Sequence, residues 1–167
     1  HLYPKSDGID TFEKRGEPKD TMEVIKANVQ KYAYQTKGIS EILKGSTLEE
    51  TCQNIWSYYY HHFAYKPDTQ GKEQVRTPAR AFADRLKGID CDCFTQSILC
   101  NLQNLGIKAF QRIVKRNYSD QWTHIYVIVP RISGADLDNT SQYIVLDPVM
   151  DTYNQEPTGI TAKFDKA

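Results

Sequence analysis

Three residues of the chain have the types and the order that nucleophilic catalysis by a thiol requires. Cys91 lies at the start of a helix-patterned segment, and His124 and Asp147 follow on two strand-like segments. A catalytic thiol needs a base to take its proton and an acid to orient that base, and such residues are commonly far apart in sequence. The order therefore predicts Cys91 as nucleophile, His124 as base and Asp147 as the orienting acid.

The position of Cys91 favours it over the neighbouring cysteines. Unpaired amides and the positive end of the helix dipole lower the pKa of a thiol at a helix start. On a helical wheel Cys91 lies on the apolar stripe, so we expect it to face the body of the protein and Cys93 and Cys100 to face away. Most cysteines on such a stripe are small buried hydrophobes, and that alternative stays open for Cys91.

His124 and Asp147 lie where strands could present them to a cleft. Alternation places His124 and Tyr126 on the less apolar face of one strand, and Asp147 ends the next strand before Pro148. The alternatives are a structural histidine bonded to backbone and an aspartate that only starts a turn. Because neighbouring strands could bring the two side chains together, the pair favours the catalytic interpretation.

Composition limits the classes of function that remain. The formal net charge is zero over 167 residues, so there is no broad attraction to nucleic acid or to an anionic membrane. We expect neither as a partner, and no run is long and apolar enough to span a bilayer. Four cysteines are few for a disulfide scaffold and favour a reducing compartment.

The chain is expected to form one domain. Residues 1–19 are polar, with several prolines and glycines, and predict an irregular N-terminal arm, whereas residues 20–167 predict a single domain. The first residue is His1 and no basic-then-apolar leader follows it. We therefore expect a trimmed chain or a fragment, and leave a removed leader and flanking domains open.

Helical patterns come first along the chain and strand-like runs come later, which is typical of an α+β fold with an antiparallel sheet. Helices are predicted to begin at Asp20, at Ser46 or Thr47, at Thr77–Pro78 (running to Lys87) and at Cys91. The predicted strands are Ala109–Val114, His124–Val129 and Tyr143–Leu146. The predicted loops are Tyr65–Val75, Lys115–Gln121 and Arg131–Gln142.

The segment Gly88–Thr95 reads Gly-Ile-Asp-Cys-Asp-Cys-Phe-Thr and resembles the Gly-Asp-Cys-Asp-Asp-Phe-Ala signature of transglutaminase-like cysteine enzymes. The resemblance covers most of the chain, and its further parts are Ile55–Tyr65, Arg76–Pro78, Leu99, Gly106, His124–Val127 and Leu146–Pro148. Phage and bacterial members share the upstream parts. Two departures are Ile89, which separates Gly88 from Asp90, and Cys93, which stands where the family has an acid.

The resemblance implies a papain-like α+β core, with the nucleophile at a helix start packed on a small antiparallel sheet. It implies a Cys91-His124-Asp147 triad acting on a protein or peptide substrate through a thioester intermediate. Water would make the enzyme a peptidase or amidase and an amine would make it a cross-linking enzyme, and the sequence leaves both open.

The sequence also leads to expectations about the oxyanion donors and about bound metals or cofactors. The oxyanion donors are predicted to be the backbone amide of Cys91 and one of Gln74, Arg76 or Trp122. No cofactor and no metal are expected, because the acidic loop Gly134–Asp138 lacks the ligand spacing of a calcium loop.

Three other interpretations remain open at this point. Cys91, Cys93, Cys100 and a histidine could bind zinc, or Cys91 and Cys93 could form a redox pair. The chain could also be a catalytically idle structural or assembly module of phage origin. The few cysteines and the phage-like resemblance favour a cytoplasmic or virion-associated protein, the trimmed N-terminus leaves secretion open, and the oligomeric state is not predicted.

Overall fold

Helices dominate the first part of the chain and strands the last. The computed structural model describes residues 2–5, 11–14, 18–68 and 73–167, with the backbone alone at 11–14, 18, 73 and 74. The α-helices are α1 (Pro18–Tyr32), α2 (Lys37–Leu43), α3 (Leu48–His62), α4 (Pro78–Ala83) and α5 (Cys91–Asn104). The strands are β1 (Thr11–Lys14), β2 (Glu73–Arg76), β3 (Phe110–Arg116), β4 (His124–Pro130), β5 (Tyr143–Leu146) and β6 (Ile160–Lys166). Short 3₁₀ turns occupy Ala33–Thr36 and Thr140–Gln142.

The main sheet is antiparallel and has four strands in the order β5-β4-β3-β6. Helix α5 packs on β4, and the core fills the space between α5, α3 and one face of the sheet. A separate two-stranded ribbon joins β1 to β2. The predicted α+β fold, with the Cys91 helix on a small antiparallel sheet, is confirmed.

Several predicted elements were wrong. The arm of residues 1–19 contains β1 and the first two residues of α1, and the predicted loop Tyr65–Val75 contains most of β2. The β1–β2 ribbon joins segments about sixty residues apart, so neither strand carries a local turn signal. The sequence also gave no prediction of α2 or β6, which are short or weakly alternating.

Helix α4 ends at Ala83 rather than at Lys87. Asp84 follows as the C-cap residue, and its carboxylate accepts from both Arg76 Nε at 2.9 Å and Arg80 Nε at 3.0 Å. This ion pair fixes the last turn, and the chain leaves the helix toward Gly88. Among the described residues, no helix is long and apolar enough to cross a membrane.

Helix α5 is buried on nearly all sides, so Cys93 and Cys100 do not face away from the protein. Both are fully buried, because α1, α2, α4 and the 3₁₀ turn at Ala33–Thr36 pack against α5 in addition to β4. A helical wheel distinguishes an apolar from a polar face only when one face meets water. The expected outward orientation of these two cysteines was therefore wrong.

Buried polar side chains fix the position of α5 within this layer. Asn101 accepts from the Tyr59 hydroxyl at 2.6 Å and donates to Ser40 Oγ at 2.9 Å, and none of the three side chains is exposed. Gln96 accepts from Asn28 at 2.9 Å and donates to the carbonyl of Arg76 at 2.6 Å. These bonds join α5 to α1, α2, α3 and β2, which fixes its orientation.

Asn101→Leu is expected to lower the free energy of unfolding by about 2–4 kcal/mol, because the Tyr59 and Ser40 hydroxyls each lose a partner in the core. Urea unfolding measures the change. The matched control is Gln103→Leu, the same kind of replacement at an exposed position of α5, for which we expect a change within about 0.5 kcal/mol. A loss for Asn101→Leu no larger than that of the control would contradict the role given to these bonds.

Candidate active site

The residues before Cys91 determine where α5 begins. Gly88 has a φ of +108°, and a side chain there would meet Cβ of Lys66 at 2.5 Å. Ile89 then pairs with the neighbouring segment, accepting from the Lys66 amide at 3.0 Å and donating to the carbonyl of Ala64 at 2.9 Å. Asp90 caps the helix, since its Oδ1 accepts from the Cys91 amide at 2.7 Å. These contacts place Cys91 at the first helical position.

The Asp90 cap has a consequence for the predicted oxyanion site. The backbone amide of Cys91, one of the predicted donors, already donates to the Asp90 carboxylate. An oxyanion could use that amide only if Asp90 released it. The expectation that this amide is free to bind an oxyanion is therefore not met in this structure.

Cys91 is half-buried and lines a cleft of about 200 Å³. The residues around it are Thr21, Tyr65, Pro67, Asp90, Asp92, Ile113, Trp122, Thr123, His124 and Ile125. The backbone N–H of Ile125, which follows His124, acts to lower the pKa of the Cys91 thiol, which places the start of β4 beside the sulfur. The structure thus brings Cys91 and His124 to the same cleft.

The surroundings of Cys91 do not favour the thiolate. Burial, followed by the negative charges of Asp90 and Asp92, raises the pKa of the Cys91 thiol well above its ordinary value. The sequence predicted a lowered pKa, because Cys91 lies at a helix start. The flanking carboxylates and the loss of solvent raise the pKa by more than the helix terminus lowers it.

His124 and Asp147 form a short ion-pair contact, with Nε2 of the ring 2.6 Å from Oδ2 of the carboxylate. Asp147 is buried, and its other oxygen accepts from the Val149 amide at 3.1 Å. Its carbonyl accepts from Nε1 of Trp56 at 3.0 Å, which ties this strand end to α3. Hydrogen bonds thus hold both the side chain and the main chain of Asp147 in place.

The bond to Asp147 leaves Nδ1 as the ring nitrogen of His124 that can serve another partner. Among the described residues, no hydrogen bond joins the His124 ring to the Cys91 sulfur. Catalytic hydrogen bonds often tighten only when substrate is bound, so shared placement in one cleft is the relevant observation here.

The three predicted oxyanion side chains have different placements. Trp122 lines the cleft beside Cys91. Arg76 is not among the described residues that line the cleft. Its guanidinium instead donates to Asp84 at 2.9 Å and lies 3.8 Å from Cys93 Sγ. Gln74 lies in β2, but its side chain is outside the described residues. Sequence reasoning missed Tyr65, which also lines the cleft and carries a hydroxyl donor.

Among the described residues, the thiols do not assemble with histidines. No disulfide is formed there, and the Cys93 sulfur accepts from the Arg76 amide at 3.3 Å. Among the described residues, the metal-ligand group of three or more contains carboxylates alone, without cysteine or histidine. The geometry therefore gives no support to the zinc or the redox interpretation.

That carboxylate group consists of Asp68, Asp90 and Asp92, whose oxygens lie within 4.8 Å of one another beside Cys91. Asp92 is buried, and its Oδ1 has no hydrogen-bond partner. Burial, with the charges of Asp90 and Asp68, raises the pKa of Asp92 to about 8. Sequence reasoning missed this cluster, because Asp68 is separated from the other two by a loop and a helix.

The fold resembles solved structures, although the sequence matches little. The chain is similar to calcium-bound LapG of Legionella pneumophila, with 15% identity, 84% of this chain and 80% of that one covered, and a TM-score of 0.57. It also resembles a proposed protease of Parabacteroides distasonis, with 14% identity and a TM-score of 0.56 over 91% of this chain and 36% of that one. An EGTA-treated LapG structure matches with 14% identity over 83% of this chain and 74% of that one, at a TM-score of 0.54. These likenesses show that the chain shares its fold with these proteins.

Comparison of the sequence with known proteins does not assign the chain to a family. No protein-family profile matches the chain, and no curated protein matches it.

A mild thiol reagent such as iodoacetamide is expected to modify Cys91 alone in the folded protein at neutral pH, and all four cysteines in denaturant. Cys91 lines an open cleft, whereas Cys52, Cys93 and Cys100 are fully buried. Peptide mapping by mass spectrometry identifies the modified residue. Labelling of Cys93 or Cys100 at a rate comparable with that of Cys91 would contradict this arrangement.

Proposed function

We propose that the chain is a cysteine-dependent peptidase or amidase of the transglutaminase-like kind, with Cys91, His124 and Asp147 as its triad. The observation that carries the proposal is the 2.6 Å contact between His124 and Asp147 in the cleft that Cys91 lines. The likeness to LapG and to a proposed protease supports a proteolytic activity. A protein or peptide is therefore the proposed substrate.

In this mechanism the Cys91 sulfur attacks the carbonyl carbon of an amide while Nδ1 of His124 takes the thiol proton. The carbonyl becomes an oxyanion, and the tetrahedral intermediate expels the amine, which takes the proton back from His124. The resulting thioester is attacked by water, whose proton passes to His124 and then to the released thiol. Asp147 fixes the ring tautomer and stabilises the imidazolium throughout.

Hydrolysis is the outcome that the cleft favours over amine transfer. The choice depends on how well a site excludes water from the thioester. The cleft is open to solvent, and Tyr65 on its wall is 45% exposed. We therefore assign peptidase activity and treat cross-linking as an outcome that the experiment must distinguish.

Hydrolysis of a dye-quenched unfolded protein at pH 7 tests the assignment. Cys91→Ala is expected to abolish hydrolysis, and Asp147→Asn to lower kcat by about 10⁴-fold because the ring loses its correct tautomer. The matched control is Asp151→Asn, which removes an exposed carboxylate of the same connection without touching the cleft. That variant should retain the wild-type kcat.

The same assay includes a fluorescent primary amine. Covalent incorporation of the amine would show cross-linking, whereas hydrolysis alone supports the peptidase. A wild-type protein that does neither, or a Cys91→Ala variant with full activity, would overturn the enzyme proposal in favour of the idle structural module.

We further propose that Asp68, Asp90 and Asp92 hold a calcium ion. Calcium prefers oxygen ligands, and all three side chains supply carboxylates. Asp92 Oδ1, buried and without a partner, is a group that a cation would satisfy. Calcium-bound and EGTA-treated forms of LapG have been solved, which supports the choice of ion. When bound, the ion would neutralise the cluster and hold the Asp68 loop against the start of α5.

Calcium at a hundredfold excess over its Kd is expected to stabilise the folded protein by about 2.7 kcal/mol, which thermal unfolding detects as a higher Tm than in EGTA. Asp92→Asn should remove this response and should not lower the Tm in EGTA, because it relieves repulsion in the cluster. Asp136→Asn, in the acidic loop 134–138, should leave the response unchanged. An equal Tm with calcium and with EGTA in the wild type would refute the site.

A further inference from the structure

A buried polar network lies on the side of the sheet away from α5. Its centre is Arg112, whose side chain is 1% exposed and pairs with Asp165 Oδ1 at 2.7 Å and Glu156 Oε1 at 3.2 Å. Nη1 of Arg112 also donates to the Tyr143 hydroxyl at 2.9 Å. Glu156 in turn accepts from the hydroxyls of Tyr126 and Tyr143. A charged group so fully buried is stable because each of its donors has a partner.

Tyr126 connects this network to His124. The two residues are two positions apart on β4, so their side chains lie on one face of the sheet. Their ring centroids are 5.5 Å apart and their planes are inclined by 27°. Tyr126 is 1% exposed and is absent from the described residues that line the cleft. The Tyr126 ring therefore contacts the His124 ring from the interior of the protein and not from the cleft.

Two carboxylates of one connection therefore act on neighbouring residues of β4. The connection between β5 and β6 carries Asp147, which binds Nε2 of His124, and Glu156, which binds the Tyr126 hydroxyl. The Asp147 bond fixes one atom of the imidazole but leaves the ring free to swing about that atom. The Tyr126 ring, itself held by Glu156, restricts the swing by packing against the face of the imidazole.

We propose that Tyr126 is a positioning residue that sets the plane of the His124 ring, an inference that rests on the proposed role of His124 as base. With the plane fixed, Nδ1 points into the cleft toward the reacting proton. The hydroxyl serves only to anchor the tyrosine, so the ring of Tyr126 is the part that His124 depends on. Glu156 and Arg112 contribute through that anchor.

Three variants separate positioning from stability. Tyr126→Leu removes the ring and is expected to lower kcat for peptide hydrolysis by about 10²-fold, the loss that a misplacement of about 1 Å produces. KM should change little, because Tyr126 does not line the cleft. Tyr126→Phe keeps the ring and should recover most of kcat. Tyr143→Leu removes a ring of the same network that does not touch His124, and should lower Tm without lowering kcat below the unfolding transition.

A second measurement needs no turnover. In the resting wild type, ¹⁵N NMR of the His124 ring should show one dominant ring state with a proton on Nε2, the nitrogen that contacts Asp147. Tyr126→Leu should broaden or shift this signature, whereas Tyr143→Leu should preserve it.

The outcomes distinguish the two proposals. If wild-type protein does not hydrolyse peptides, the enzyme assignment fails, and the NMR comparison still decides whether Tyr126 orients the ring. If Tyr126→Leu and Tyr143→Leu have the same kcat and the same ring spectra, Tyr126 has a structural role alone and this inference is overturned.

Discussion

The constraint on which the rest of the site depends is the burial of α5 on nearly all sides. A helix packed on β4, enclosed by α1, α2 and α4, and bonded through Asn101 and Gln96 cannot slide or rotate without leaving buried polar groups unpaired. Its first residue is therefore fixed relative to the first residue of β4. Cys91, His124 and Ile125 line one cleft as a result of that packing. A thiol and an imidazole from distant parts of the chain come together because the helix has only one way to fit.

The second half of the arrangement comes from the connection between β5 and β6. This segment has little regular structure, yet it supplies Asp147 to the histidine and Glu156 to the tyrosine beneath it. Trp56 on α3 holds the Asp147 carbonyl, and Arg112 on β3 holds Glu156. Because both anchors are buried, an irregular segment can hold a carboxylate as firmly as a strand does. The histidine is thus constrained by the helical layer on one side and by this connection on the other.

The sequence predicted the parts of the fold that depend on local signals. Thr47 and Thr77 cap α3 and α4 as their spacing indicated, and α5 begins at Cys91 as predicted. The strand that begins at His124 and the strand that Asp147 directly follows were also found, because each is a continuous apolar run. What depends on distant pairing was missed: the β1–β2 ribbon, the covered far side of α5 and the cluster that brings Asp68 to Asp90. A single sequence records which residues are apolar, but it does not record which elements cover them.

The charges around Cys91 raise the pKa of its thiol, although a helix start would lower it. A helix start stabilises a negative charge by about 0.3–1 kcal/mol, and at most about 2 in partly buried settings. One pKa unit corresponds to about 1.4 kcal/mol, so even the larger figure moves a thiol by little more than one unit. Burial and the two flanking aspartates act in the opposite direction and dominate. Two carboxylates beside the Cys91 sulfur therefore oppose thiolate formation, and their presence needs another physical reason. Asp90 has one as the cap of α5. For Asp92, buried beside Asp90 and Asp68 with one oxygen unpartnered, the calcium ion proposed above would supply such a reason.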